Sequence, residues 1–70
     1  MGGAGLIKRS VTIAGHRTSI SLEPLFWSAL RDAAAAEGKS LNALVAEIDE
    51  ARTTNLSSAI RVWLFERASG

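Results

Sequence analysis

Few residues of this 70-residue chain have both the type and the spacing that chemistry needs. Ala33-Ala34-Ala35-Ala36-Glu37-Gly38-Lys39-Ser40 satisfies a relaxed phosphate-loop pattern, with alanine in place of the first glycine. Such a loop must follow a strand and stay supple enough for its amides to wrap phosphates. An alanine run propagates a helix instead, and the chain has no room for a nucleotide-binding sheet. His16 stands beside Gly15 with no Ser or Cys nucleophile and orienting acid that can be argued to join it. One histidine and no cysteine leave neither a structural zinc site nor a disulfide. No catalytic residue, metal ligand, cofactor or small-molecule substrate is therefore expected. What remains is Arg17-Thr18-Ser19-Ile20-Ser21-Leu22, where polar and apolar residues alternate with a period of two. Arg17, Ser19 and Ser21 form a hydrogen-bonding face, and Thr18, Ile20 and Leu22 form a face to be buried.

A strand must carry that alternation, and it needs a backbone partner. Glu23-Pro24 and helix-forming sequence follow it, so its C-terminal side offers none. The first expectation is one short strand per chain, residues 17–22, paired with the same strand of a second copy. Ser10-Val11-Thr12-Ile13-Ala14 also alternates before Gly15-His16 breaks the pattern. Residues 10–14 either fold back as a hairpin within the chain or extend the ribbon past a bulge at Gly15. Both arrangements stand. Residues 1–9, with three glycines among the first five, read as a flexible tail.

Three helices complete a single domain over residues 10–70. Helix A, 24–37, starts with Pro24 at its first position and ends at Gly38. Helix B, 41–52, is capped by Ser40 and buries Leu41, Leu44, Val45 and Ile48, which follow i, i+3, i+4, i+7 spacing. Helix C, 56–68, follows the polar turn Thr53-Thr54-Asn55. It is apolar on more than one side, with Leu56, Ala59, Ile60, Trp63 and Leu64 on one and Val62 and Phe65 on another. Trp27 and Trp63 lie on apolar stripes, which favours packing over base stacking.

Seventy residues bury a small fraction of their surface, and with disulfides and zinc gone, oligomerisation is the remaining source of stability. A hydrophobic content of 47% fits a core shared between copies. The expected dimer core is Ile20, Leu22, Phe26, Trp27, Leu30, Leu44, Val45, Ile48, Ile60, Trp63 and Leu64. Charge is divided along the chain. Residues 1–22 hold Lys8, Arg9 and Arg17 and no acid, whereas residues 23–70 hold five basic and seven acidic side chains. Two paired N-terminal segments would gather six positive charges on one side, which favours a polyanion as partner. No apolar run approaches the ~18 residues of a membrane span, so no membrane partner is expected and the cytoplasm is the expected location.

The order strand, Glu23-Pro24, helix, Gly38-Lys39-Ser40, helix resembles the ribbon-helix-helix (MetJ/Arc-type) DNA-binding fold over Arg17 to about Arg52. Its most specific part is the alternation of residues 17–22 followed at the right interval by Gly38-Lys39-Ser40-Leu41-Asn42-Ala43-Leu44. The wider stretch from Lys8-Arg9-Ser10-Val11 through Gly15-His16-Arg17-Thr18-Ser19 is similar to a group of short, stand-alone bacterial proteins of that fold. The resemblance implies a mainly α, intertwined homodimer with an additional third helix, acting on double-stranded DNA in the nucleoid as a transcriptional regulator. It implies a ribbon in the major groove, with Arg17, Ser19 and Ser21 on base edges. Backbone phosphate would be held at the start of helix B by Lys39, Ser40, Leu41 and Asn42, and by Lys8, Arg9 and His16 of the N-terminal extension. Whether dimers stack into tetramers along DNA stays open. The alternative is an antitoxin or protein-docking module with the same dimer fold, using helix C and Trp63 for its partner.

Overall fold

The computed structural model describes residues 5–70, and the part of the expected tail before Gly5 lies outside the described residues. Two strands come first, β1 (Ile7–Ile13) and β2 (His16–Leu22), followed by α1 (Pro24–Ala36), α2 (Leu41–Ala51) and α3 (Leu56–Ser69). The expectation of one strand per chain is corrected: β1 and β2 pair antiparallel within the same chain. Residues 7–9, read as tail, form the start of β1.

The turn explains why the hairpin closes. Ala14 and Gly15 both have positive φ, 52° and 83°, as a two-residue type I′ turn requires, and its twist matches that of the flanking strands. Pairing runs from Ile13 with His16 to Ile7 with Leu22. Val11 and Ile13 then join Ile20 and Leu22 on one face, and all four are buried. The strand therefore becomes dry on its own helices and needs no second copy to do so. Thr18, assigned to the dry face, sits opposite Val11 but stays exposed.

The helices form the second layer. α2 packs on β1, while α1 and α3 pack on β2. Trp27, Leu30, Ala33, Ala34, Leu44, Val45, Ile48, Ile60 and Leu64 complete one core inside a single chain, with Phe26 and Trp63 partly buried against it. Local signals fix where each helix begins and ends. α1 has Pro at its first position and ends in a Schellman cap: Lys39 N–H reaches Ala34 C=O at 2.9 Å and Gly38 N–H reaches Ala35 C=O at 3.1 Å, with Gly38 at φ 68°. The Gly38-Lys39-Ser40 triplet is thus a helix terminus. The Ser40 hydroxyl accepts the Ala43 N–H at 3.0 Å, and the Asn55 side chain accepts the Ser58 N–H at 2.9 Å; each satisfies a donor that an uncapped helix start leaves unpaired.

Candidate nucleic-acid interface

Residues directly opposite each other in an antiparallel pair share a face of the sheet. The pairs Lys8 with Ser21, Ser10 with Ser19 and Thr12 with Arg17 therefore place six polar side chains on the hairpin face that points away from the helices. All are exposed except Ser21, which is half-buried. At about 3.3 Å per residue the row from Lys8 to Thr12 is roughly 13 Å long. Lys8 and Arg17 stand at diagonally opposite ends of it.

The pairing of charges sets this face apart. In the helical layer, Arg52 binds Asp49 at 2.6 Å, Arg61 binds Glu23 at 3.0 Å, Arg67 binds Glu37, and Lys39 binds both Glu47 at 2.6 Å and Glu37 at 3.2 Å, whereas Arg31 of α1 makes no ion pair among the described residues. Lys8 and Arg17 have no carboxylate within reach among the described residues, and residues 5–22 contain no acid. The side chains of Ser10, Thr12 and Ser19 likewise make no hydrogen bond among the described residues. Uncompensated cations and unengaged hydroxyls thus gather on one flat surface, where an anion that also offers acceptors and donors would find both.

Of the residues singled out from sequence, Arg17, Ser19, Ser21 and Lys8 come together on this surface. Arg9 does not. It shares the inner face with Ile20, and its guanidinium lies 5.6 Å from the centre of the Trp27 ring, a cation–π contact at the rim of the core. His16 is on the inner face too, exposed beside the turn, where it borders a shallow depression with Asp49, Arg52 and Asn55.

Lys39, Ser40, Leu41 and Asn42 lie past the far end of α1, a helix that spans roughly 20 Å at 1.5 Å per residue. The hydrogen bond that Lys39 donates to Glu47, with a second to Glu37, raises its ammonium pKa above the ordinary 10.5. The Glu37 carboxyl is held below its ordinary 4.5, first by Lys39 and then by Arg67. Ser40 spends its hydroxyl on the α2 cap, and Leu41 is half-buried against the core.

Ser10 and Thr12, not singled out from sequence, also lie on this face. Their signal was present in the alternation of Ser10-Val11-Thr12-Ile13, but only the register shows that they share a face with Ser19 and Arg17. No His, Cys, Asp and Glu side chains cluster so as to hold a metal ion among the described residues, and no helix there is long and apolar enough to cross a membrane.

A family model described as a ribbon-helix-helix domain matches residues 6–68. Among solved structures, an uncharacterized protein from Bordetella pertussis Tohama I superimposes with a TM-score of 0.79 at 26% sequence identity. The match covers 96% of this chain and 58% of that one, so the chain spans little more than half the length of its structural relative. No curated protein matches.

Proposed function

Because this chain belongs to the ribbon-helix-helix domain family, a family of DNA-binding regulators, we propose that it binds double-stranded DNA sequence-specifically as a homodimeric transcriptional regulator. The observation that carries the reading is the outer hairpin face, where Lys8 and Arg17 lack acidic partners, while Lys39 and Arg52 at the two ends of α2 and Arg61 and Arg67 of α3 are paired. Arg17 offers two parallel donors to guanine O6 and N7, and the hydroxyls of Ser19 and Ser21 can meet donors or acceptors on base edges.

Dimer formation has a route in the geometry. Closing a two-residue turn makes Ile13 and His16 a hydrogen-bonded pair, so bonding alternates along the strands. The backbone groups of Arg17, Ser19 and Ser21 then face away from β1. In keeping with this, the Ser21 carbonyl accepts from the Ser57 hydroxyl, outside the hairpin, at 3.2 Å. A second copy pairing antiparallel along this edge, centred on Ser19, would set each Arg17 beside a serine and not beside the other Arg17. The result is a four-stranded sheet with two β2 strands in the middle. Phosphate contacts from Lys8, Arg9, His16 and the Lys39–Asn42 turn belong to the same proposal.

The test is a duplex selected from a randomised library and titrated against Arg17→Ala. The variant is expected to lose roughly 1–3 kcal/mol on the selected site and to relax base preference, and parent binding is expected to fall steeply with salt. Equal binding by parent and variant would remove Arg17 as a reader. A second reading, a protein-docking or antitoxin module, draws on α3, whose Phe65 is 71% and Val62 52% exposed. Trp63 serves it less well, since that ring is half-buried and covered by Arg67 at 5.6 Å. A partner protein lost on Phe65→Ser, with DNA binding kept, would favour it.

A further inference from the structure

We infer that β1 is a second DNA-contacting strand, whose Ser10 and Thr12, in line with Lys8, bind backbone phosphates along the walls of the groove that β2 reads. The inference rests on the DNA-binding reading above and deepens it.

It follows from width and register. Strands lie about 4.8 Å apart, so in a sheet ordered β1, β2, β2, β1 the two outer strands stand roughly 14 Å apart. The major groove is about 12 Å wide. The two central strands fit within it, and the outer strands meet its edges, where the phosphates are. Ser10 and Thr12 face the same way as Ser19 and Arg17, their cross-strand partners, so they are presented to the same ligand surface. Both are exposed, and neither side chain makes a hydrogen bond among the described residues. Short hydroxyls flush with the sheet suit phosphate oxygens at a groove wall. They are too short to reach bases from there. Lys8, next but one to Ser10, adds the charge that makes such a contact salt-sensitive. Contacts of this kind fix register and orientation without reading sequence.

The experiment uses the full chain, a duplex selected from a randomised library and a scrambled duplex of the same length. The variants are Lys8→Gln, the pair Ser10→Ala with Thr12→Val, which removes two hydroxyls and keeps the branched shape of residue 12, and Arg17→Ala as the base-reading control. Thermal midpoints check that each variant folds. The hydroxyl pair should weaken binding by about tenfold on both duplexes alike, with base preference in a repeated selection unchanged. Lys8→Gln should lower the slope of log affinity against log salt by about 1 per chain. Unchanged affinity and slope in these variants, with Arg17→Ala impaired, would overturn the inference and leave the DNA-binding reading standing. Altered base preference in the hydroxyl pair would also overturn it, because β1 would then lie inside the groove. A parent protein that binds neither duplex would sink both.

Discussion

The indole Nε1 of Trp27 donates a 2.8 Å hydrogen bond to the backbone carbonyl of Ile7, twenty residues earlier. Trp27 is the largest fully enclosed side chain in the molecule at 2% exposure, and its polar atom is satisfied by the first residue of β1. One residue therefore fills the core and pins the free end of the hairpin. Trp27→Phe keeps most of the apolar volume and loses the bond, at an expected cost of about 1 kcal/mol. The thermal midpoint should fall by several degrees, and amide exchange should quicken first near Ile7. Uniform quickening over the whole chain would show that the bond has no local role.

The turn contains a correctable mismatch. Ala14 holds φ at 52°, a conformation that costs an ordinary L-residue roughly 1–2 kcal/mol and that asparagine tolerates better. Ala14→Asn is expected to stabilise the fold by up to about 1 kcal/mol, while Gly15→Val, at φ 83°, should destabilise it by at least as much. Denaturant midpoints of the two variants should move in opposite directions. Movement in the same direction would rule out the type I′ account of the turn.

Dimerisation along β2 can be separated from folding. The Ser19 N–H faces away from β1 in the bonding pattern set by the turn, so Ser19→Pro removes a donor only from the open edge, where proline is tolerated. Sedimentation against concentration should show parent dimers and variant monomers, with similar far-UV spectra. A variant that still dimerises would place the interface elsewhere.

Stability should depend on pH at both extremes. A hydrogen bond from its own backbone N–H, helped by Arg61, holds the Glu23 carboxyl below its ordinary 4.5, and Lys39 with Arg67 does the same to Glu37. Carboxyls depressed in the folded state contribute stability above their unfolded value and lose it as pH falls through the folded one. The fold should therefore weaken below about pH 4.5. Lys39 is raised above 10.5, so its contribution is complete below that value and is lost as pH climbs past it. These groups lie at the surface and are partly open to solvent, so added salt should flatten both limbs. Glu37→Gln should blunt the acid limb measured by thermal melts; an unchanged limb would exclude the Glu37 cluster as its source.

The helices were legible because their punctuation is local. Pro24, Gly38, Ser40 and Asn55 each act on the few backbone groups beside them, and the i, i+3, i+4, i+7 spacing of Leu41, Leu44, Val45 and Ile48 needs no knowledge of the partner surface. The alternation of residues 17–22 showed which side chains would share a face. Pairing was less accessible, because the choice between a hairpin and a partner from another copy turns on whether Ala14, an unusual residue at positive φ, will accept that conformation. Once it does, Val11 and Ile13 supply the apolar area expected of a second chain. The polar face was half legible for the same reason: Ser10 and Thr12 join it only through the register with Ser19 and Arg17. The strand register sets Arg9 on the inner face opposite Ile20, where it meets Trp27, a placement that its charge alone did not show.

The chain contains two tryptophans and no tyrosine, so its near-ultraviolet emission comes from two sites of unlike character. Trp27 is sealed beneath the hairpin, whereas Trp63 sits half-covered on α3. A collisional quencher reaches the second long before the first. The folded protein therefore carries, without any label, one optical reporter for the integrity of its interior and another for whatever settles on its third helix.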